Sequence, residues 1–226
     1  MSSTTPTPIE IKMGPCEEPC EKSHAHERSW AKSMLLKSLF NTVDVCFDDV
    51  YEEPKRILMV GGCRQQDFAQ HIALLLPAAE IVLVDPSEAE VARAKEEICC
   101  RFKFIHSLLE QLPFEDNTFD LTFAHNFFAY PTDWKPAFAE LGRVTGKNLF
   151  ISKHRPFLWK LTRKIGGMEQ GMRECGIELP AQLPSQFDFL TAQRLFSKIK
   201  THLAPYPWDA YMLTIKPDKQ TCLKLS

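Results

Sequence analysis

The stretch of sequence that decides the fold is 56-RILMVGGCRQQDFAQHIALLLPAAEIVLVDPSEAEVARAKEEICCRFKFIHSLLEQLPFEDNTFD-120. It contains two apolar runs, Ile57–Val60 and Ile81–Val84, which have the length and the branched side chains of buried strands. Gly61-Gly62 follows the first run, Asp85-Pro86 follows the second, and a helix-length segment comes after each pair. Glycines let the backbone approach a ligand closely, and a carboxylate accepts hydrogen bonds from ribose hydroxyls. The two βα units therefore predict a nucleotide-ribose pocket.

Strands and helices alternate beyond this core pattern. Besides the two runs above, the predicted strands are Phe102–Ile105, Phe119–Ala124 and, after a turn at Gly146-Lys147, Asn148–Ser152. The predicted helices run from about Gln65 to Leu76, from a Ser87/Glu90 capping box to about Cys100, and from a cap at Thr132 or Asp133 to about Val144. This alternation predicts an α/β fold with a doubly wound, mostly parallel, Rossmann-like sheet that carries helices on both faces.

The two ends of the chain flank this core. We expect a disordered tail over 1–15, then a single domain made of an N-terminal helical cover (16–53) and the Rossmann-like core (54–226). In the cover, a helix over about 27–46 has a predicted apolar side at Trp30, Met34, Leu35, Leu39 and Val43. In the last third we expect a helix at Phe157–Ile165, a helix and turn at Gly166–Gly176, a loop at Leu179–Pro184, a helix at Thr191–Leu203 with Leu195, Phe196 and Ile199 inward, and a strand at Tyr211–Ile215.

The composition narrows the classes of function. The 226 residues carry a formal net charge of −2, which gives no electrostatic reason to expect nucleic-acid binding. No apolar run approaches the length of a membrane span, and the N-terminus lacks a secretory signal, so we expect an intracellular, cytoplasmic protein. The cysteines are expected to be reduced. Cys16, Cys20, His24 and His26 are zinc-ligand types, but their spacing fits no common zinc module, and no metal is predicted.

The string Leu112–Asp120, LPFEDNTFD, follows the two βα units, and together these features resemble the class I S-adenosylmethionine-dependent methyltransferases over about residues 50–155. The segment Leu141–Val144 is also similar to that family. The resemblance implies that S-adenosylmethionine is the cofactor and that Asp85 binds its ribose hydroxyls. It also implies that Gly61, Gly62, Cys63 and Pro86 line the pocket.

Four positions depart from the family pattern. Met59 stands where the family usually has an acid, Cys63 and Gln65 stand where it usually has glycines, and Leu108 stands where an acid contacts the adenine amino group. Leu108 and Leu109 are expected to pack against the adenine instead. Two interpretations stay open: a methyltransferase for an unidentified acceptor, or an inactive methyltransferase-like scaffold that binds a protein partner. A nicotinamide oxidoreductase would need a G-x-G-x-x-G turn, which is absent after the first strand.

The end of the fourth strand is expected to lie where cofactor meets acceptor. His125 is the candidate general base, because its ordinary pKa lies near neutrality, and Asn126 would line the floor beside the cofactor. Tyr130 and Trp134 are candidates for the wall of an acceptor pocket, with ordinary core packing as the alternative. His154 and Arg155 follow the fifth strand and are candidates for binding an anionic acceptor; a solvated basic surface is the alternative. The acceptor itself cannot be read from these residues.

Overall fold

The computed structural model describes residues 30–47, 50, 52–98, 101–154, 166, 168–175, 196–203 and 208–215. The helices are α1 (Trp30–Phe47), α2 (Gln66–Leu75), α3 (Glu88–Glu97), α4 (Trp134–Val144) and α5 (Met168–Glu174), with a 3-10 turn at Phe127–Ala129. The strands are β1 (Arg56–Val60), β2 (Glu80–Asp85), β3 (Phe102–His106), β4 (Phe119–Ala124), β5 (Thr145–His154), β6 (Phe196–Leu203) and β7 (Trp208–Ile215).

The seven strands form one sheet in the order β3-β2-β1-β4-β5-β7-β6. Strands β1 to β5 are parallel, whereas β7 runs antiparallel to both β5 and β6. The order reverses at β1, which pairs with β2 on one side and β4 on the other. The carboxyl ends of β1, β2 and β4 therefore meet at one edge, which is where open α/β sheets bind ligands.

Apolar side chains alternate between the two faces of the sheet. Ile57 and Met59 of β1 belong to a core shared with α1, α2 and α3, whereas Leu58 and Val60 belong to a second core shared with α4. Because both faces of β1 are covered, its residues 57 to 60 are all buried, which explains the continuous apolar run in the sequence. The predicted doubly wound, mostly parallel sheet with helices on both faces is confirmed.

The string LPFEDNTFD is held in place by Arg143. The guanidinium of Arg143 donates hydrogen bonds to the Leu112 and Phe114 carbonyls at 3.0 and 2.7 Å, and it pairs with Glu140 and Asp116. Glu140 in turn accepts a hydrogen bond from the backbone N–H of Leu112. The two segments that resemble the methyltransferase family, Leu112–Asp120 and Leu141–Val144, are thus joined by structural contacts.

Asp120, at the end of the same string, ties β4 to the start of β1. Its Oδ2 atom accepts hydrogen bonds from the backbone N–H groups of Lys55 and Arg56 at 2.9 and 3.1 Å. Burial acts to raise the pKa of this carboxyl, but these two bonds and Lys147 outweigh it, so the pKa lies below the ordinary value. Asp120 therefore stabilises the fold when ionised.

The predicted helix at Thr191–Leu203 is wrong over its described part, because residues 196–203 form strand β6. The sequence FSKIKTHL also suits an edge strand, since Ile199 and Thr201 are β-branched and Lys198 and Lys200 are the charges that edge strands carry. Antiparallel pairing with β7 overrides the weak helical spacing. The predicted strand at Tyr211–Ile215 is confirmed and begins earlier, at Trp208.

Smaller corrections concern helix faces and ends. Trp30 and Met34 are exposed, because α1 buries the neighbouring stripe through Ala31, Leu35, Leu39 and Val43. Strand β5 follows α4 directly at Thr145, so no turn separates them. Ser87 caps α3 through Glu90 N–H, but the backbone N–H of Ser87 donates to Asp85, so only half of the capping box forms.

Several sequence predictions fall outside the described residues. These are the tail over 1–15, the Cys16/Cys20/His24/His26 cluster, the segments Phe157–Ile165 and Leu179–Pro184, and Arg155. The predicted helix near Gly166–Gly176 is confirmed as α5. In the part of the chain that the structure describes, no helix combines the length and apolarity needed to cross a bilayer.

We expect Arg143→Lys to lower the free energy of unfolding by about 1–3 kcal/mol, because an ammonium cannot reproduce the planar set of hydrogen bonds to two carbonyls and two carboxylates. Urea unfolding monitored by circular dichroism measures this change. Arg93→Lys is the matched control: Arg93 pairs with Glu90 and Glu97 on the exposed face of α3, so its replacement should change the value by less than about 0.5 kcal/mol. Equal effects at both positions would contradict the structural role of Arg143.

Candidate functional site

The turn after β1 is built around Gly61, which has a φ of +67°. Its N–H donates to the Val84 carbonyl at 2.8 Å, so the turn is fixed to the end of β2. A Cβ atom at Gly61 would lie 2.4 Å from Cζ of Tyr130, and one at Gly62 would lie 2.9 Å from the Leu83 side chain. At Gly61 both the left-handed backbone and the Tyr130 ring therefore disfavour a side chain, whereas at Gly62 the close neighbour is the end of the Leu83 side chain.

Cys63, the next residue of the turn, points into the core. Its side chain is fully buried in the same apolar cluster as Met59 and Phe68. Burial, helped by the nearby Asp85 carboxylate, raises the pKa of the Cys63 thiol to about 12. The Cys63 side chain is thus a core side chain, and Met59 is a packing residue.

Asp85 lies at the end of β2 and has no exposed surface. Its Oδ1 atom accepts a hydrogen bond from Ser87 N–H at 2.9 Å. Its Oδ2 atom is 3.5 Å from Nε of Arg64 and accepts no hydrogen bond from any residue that the structure describes. Burial raises the pKa of the Asp85 carboxyl above 3.8, and Ser87 N–H and Arg64 offset only part of that effect. A helix cap needs no such charge, so this carboxylate has the character of a ligand-binding group.

The segment after β3 approaches Asp85 from the side. Ser107 N–H donates to the Asp85 carbonyl at 3.2 Å, which places Leu108 and Leu109 next to the end of β2. Leu108 is 60% exposed, whereas Leu109 is fully buried in the core. Of these two predicted adenine contacts, Leu108 alone presents an exposed apolar surface. Pro86, which directly follows Asp85, is half-buried.

His125 follows β4 and is oriented by Ser152, a residue of the neighbouring strand β5. His125 Nδ1 and Ser152 Oγ are 2.7 Å apart, and the same oxygen accepts a hydrogen bond from the backbone N–H of Asn126 at 3.0 Å. Asn126 has a left-handed φ of +56°, which turns the chain sharply after the strand. Such a backbone conformation is uncommon outside glycine and is concentrated at functional sites.

The imidazole of His125 lines a cavity of about 10 Å³, roughly the space for one water molecule. Its ring packs edge-on against Phe68 with the centroids 5.8 Å apart. The lining combines apolar side chains with a few polar groups: Leu35, Leu36, Leu39, Gln65, Asp67, Phe68, His125 and Cys175. The helical cover therefore closes over His125, as a lid over an acceptor site would.

Gln65 and Tyr130 meet directly above the β1–α2 turn. Nε2 of Gln65 donates to the Tyr130 hydroxyl at 2.6 Å and to the His125 carbonyl at 3.3 Å. Both residues are buried. The Arg64 guanidinium lies 5.9 Å from the centroid of the Tyr130 ring. The sequence indicated that Gln65 replaces a glycine, but it did not indicate this contact or the roles of Arg64 and Ser152.

Among the other predicted acceptor residues, Trp134 is not brought to His125. Trp134 packs against Phe128 and Phe138 on the face covered by α4, whereas His125 faces Phe68 on the opposite face. His154 ends β5, and its side chain is not among the described ones. Within the described residues, no group of three or more metal-ligating side chains forms a candidate metal site.

This arrangement fits one half of the cofactor that the family resemblance implies. The Oδ2 atom of Asp85 and the exposed face of Leu108 suit a ribose and an adenine. The space above Gly61, where the methionine half would approach the turn, is filled by Tyr130 and Gln65.

Comparisons with known proteins agree with the fold. The sequence model of a methyltransferase domain family matches residues 58–149. A malonyl-[acyl-carrier protein] O-methyltransferase of Legionella pneumophila is 35% identical over 97 residues, which are 42% of this chain and 34% of that protein. The match thus spans about a third of this curated relative.

Solved structures are similar over more of the chain. The PH0226 protein of Pyrococcus horikoshii OT3 aligns with a TM-score of 0.58 at 17% identity. The aligned region covers 83% of this chain and 94% of that protein's chain. Human N-acetylserotonin methyltransferase, solved with S-adenosylmethionine, aligns with a TM-score of 0.54 at 14% identity. The aligned region covers 79% of this chain and 51% of that enzyme's chain. The segment that the family model matches lies across the switch point of the sheet, so this part of the chain is similar in sequence to methyltransferase domains, and the solved structures share its fold.

Proposed function

We propose that the protein binds S-adenosylmethionine at the carboxyl ends of β1, β2 and β4 and transfers its methyl group to an acceptor held beside His125. The observation that carries this proposal is Asp85, a fully buried carboxylate whose Oδ2 atom accepts no hydrogen bond from the described residues. A buried ionised group with spare acceptor capacity costs stability, and it is accounted for by a ligand that donates hydrogen bonds.

The roles of the remaining residues follow from their positions. Asp85 would accept hydrogen bonds from the ribose, and Leu108 would pack against the adenine. The cofactor, when bound, supplies a methyl group on a positively charged sulfur. His125 would hold or remove the proton of the acceptor, with Ser152 fixing the orientation of its ring. Leu35, Leu39 and the other apolar side chains of the cavity would exclude water.

The acceptor class depends on whether His125 acts as a base. A hydroxyl or an amine must lose a proton for transfer, whereas a carboxylate is already ionised at neutral pH. The Legionella relative is named for an O-methyltransferase of malonyl-[acyl-carrier protein]. Nothing in the comparisons favours the alternative of an inactive scaffold, and the titrations below test it directly.

We expect Asp85→Asn to weaken binding of S-adenosylhomocysteine by about 10- to 100-fold, because each hydrogen bond to a charged group contributes ~1.5–3 kcal/mol and 1.4 kcal/mol is tenfold in affinity. Isothermal titration calorimetry measures this change. Asp116→Asn is the matched control, because Asp116 lies on the surface and pairs only with Arg143 among the described residues. Unchanged affinity in Asp85→Asn would place the pocket elsewhere, and no binding by the parent protein up to about millimolar would reject the proposed cofactor.

The same substitution gives a pH test of the buried charge. The folded-state pKa of Asp85 is raised above its unfolded value of 3.8, so this group's contribution to stability is fully present below that pH and is lost as the pH rises through the folded-state pKa. Relative to Asp85→Asn, the parent should therefore lose unfolding free energy as the pH rises above 3.8. Urea unfolding at a series of pH values measures the difference in unfolding free energy between the parent and the variant. If the parent became more stable relative to Asp85→Asn as the pH rises, the pKa of Asp85 would not be raised in the folded state.

We expect His125→Ala to slow methyl transfer to a hydroxyl or amine acceptor by about 100-fold or more while leaving affinity for S-adenosylhomocysteine within a few-fold. Transfer of labelled methyl groups to a panel of small alcohols, amines and carboxylic acids measures the first quantity, and calorimetry the second. Ser152→Ala, which frees the ring without removing it, should give a smaller loss. If transfer to such acceptors were unaltered in His125→Ala, the residue would not be the base.

A further inference from the structure

Two side chains of the β1–α2 turn, Arg64 and Gln65, and the side chain of Tyr130, from the segment after β4, lie where a cofactor would bind. The Tyr130 ring lies against the α-carbon of Gly61, so closely that a Cβ atom there would be 2.4–2.7 Å from the ring and its hydroxyl. Gln65 holds the ring in that position through the 2.6 Å hydrogen bond to the hydroxyl. Gly61 has the left-handed conformation that lets a backbone approach a ligand, yet its open side faces this tyrosine.

Arg64 blocks the second half of the site. Its Nε atom lies 3.5 Å from Oδ2 of Asp85, and its side chain is 17% exposed while that of Asp85 is 0% exposed. A ribose can therefore reach the Asp85 carboxylate only after a covering group moves away. Arg64 is suited to this movement, because its long, unbranched side chain can adopt other rotamers.

We propose that Arg64, Gln65 and Tyr130 form an internal plug that occupies the cofactor pocket, and that a ligand binds only by displacing it. This inference rests on the proposed function for the identity of the ligand. Two of the plug residues, Arg64 and Gln65, directly follow Cys63 in the turn. Arg64 lies close to Asp85, and Gln65 lies close to the space above Gly61. Apparent affinity is then reduced by the fraction of molecules in which the plug is closed.

The segment that carries Tyr130 is anchored at both ends. The backbone N–H of Asn126 donates to Ser152 Oγ, and the N–H groups of Thr132 and Asp133 donate to a Glu110 carboxylate oxygen at 2.6 and 3.0 Å. These backbone anchors do not involve the side chains of Arg64, Gln65 or Tyr130, so they can persist when the plug side chains move. The ribose hydroxyls can replace Arg64 at Asp85, which keeps the buried carboxylate satisfied in the open state.

The test compares Gln65→Ala, Arg64→Ala and the double variant with the parent protein. If the plug competes with the ligand, each single variant should bind S-adenosylhomocysteine at least tenfold more tightly in isothermal titration calorimetry. Tyr130→Phe, which keeps the ring but loses the hydroxyl, should bind a few-fold more tightly. Gln66→Ala is the matched control, since Gln66 contacts Glu97 on the surface of α2 and should leave affinity unchanged.

A thermal unfolding scan of each unliganded variant separates a plug from ordinary packing. Loss of a plug contact should lower the melting temperature while raising affinity, whereas loss of a purely structural contact lowers both. Affinity that is unchanged or weaker in both single variants would overturn the plug, even if the parent binds well. Binding by the variants but not by the parent would support the plug and reject the proposed function for the natural chain. If no folded variant binds, the plug covers no cofactor site and is rejected together with that function.

Discussion

The structure depends on the placement of β1 between β2 and β4. Because all three strands are parallel and in register, the residues that follow them emerge at one edge of the sheet. Gly61, Asp85 and His125 each come directly at or after a strand end, so their proximity follows from the strand order alone. The apolar residues of β1, buried on both faces, fix this register, because a shift by one residue would exchange the side chains of the two cores.

Two charged residues, Arg143 and Asp85, differ in how fully their neighbours satisfy their charge. Arg143 is surrounded by carbonyls and carboxylates that satisfy its guanidinium, and these partners raise its pKa. Asp85 accepts one backbone hydrogen bond and one long ion-pair contact, and burial raises its pKa towards the neutral form. The first arrangement stabilises the fold, whereas the second leaves a buried carboxylate with few donors at the edge of the sheet. The role of Asp85 in ligand binding is proposed on this difference.

The sequence predicted the parallel core well because its signals are local. Apolar runs, a glycine turn, an acid and the caps at Ser87 and Asp133 each act within a few residues of the element they specify. Strand β6 was missed because the spacing of Leu195, Phe196 and Ile199 predicts a helix, whereas residues 196–203 pair with β7, the next strand along the chain. Contacts in the candidate site were missed because they join residues far apart in sequence: Ser152 reaches His125 from a neighbouring strand, and Tyr130 reaches Gln65 across 65 positions.

The string LPFEDNTFD illustrates why family resemblance and ligand binding are separate questions. This string contacts Arg143, Glu140 and the start of β1, and these contacts maintain the turn between β3 and β4. Its presence therefore reports the fold, while the turn after β1 decides how a cofactor could enter. Larger side chains can replace glycines in that turn without altering the strands of the sheet. A sheet of this kind can therefore be preserved while the protein's own side chains occupy its ligand site. In such a chain the affinity for the cofactor is governed by the free energy of the internal contacts that must break, as much as by those that the cofactor makes.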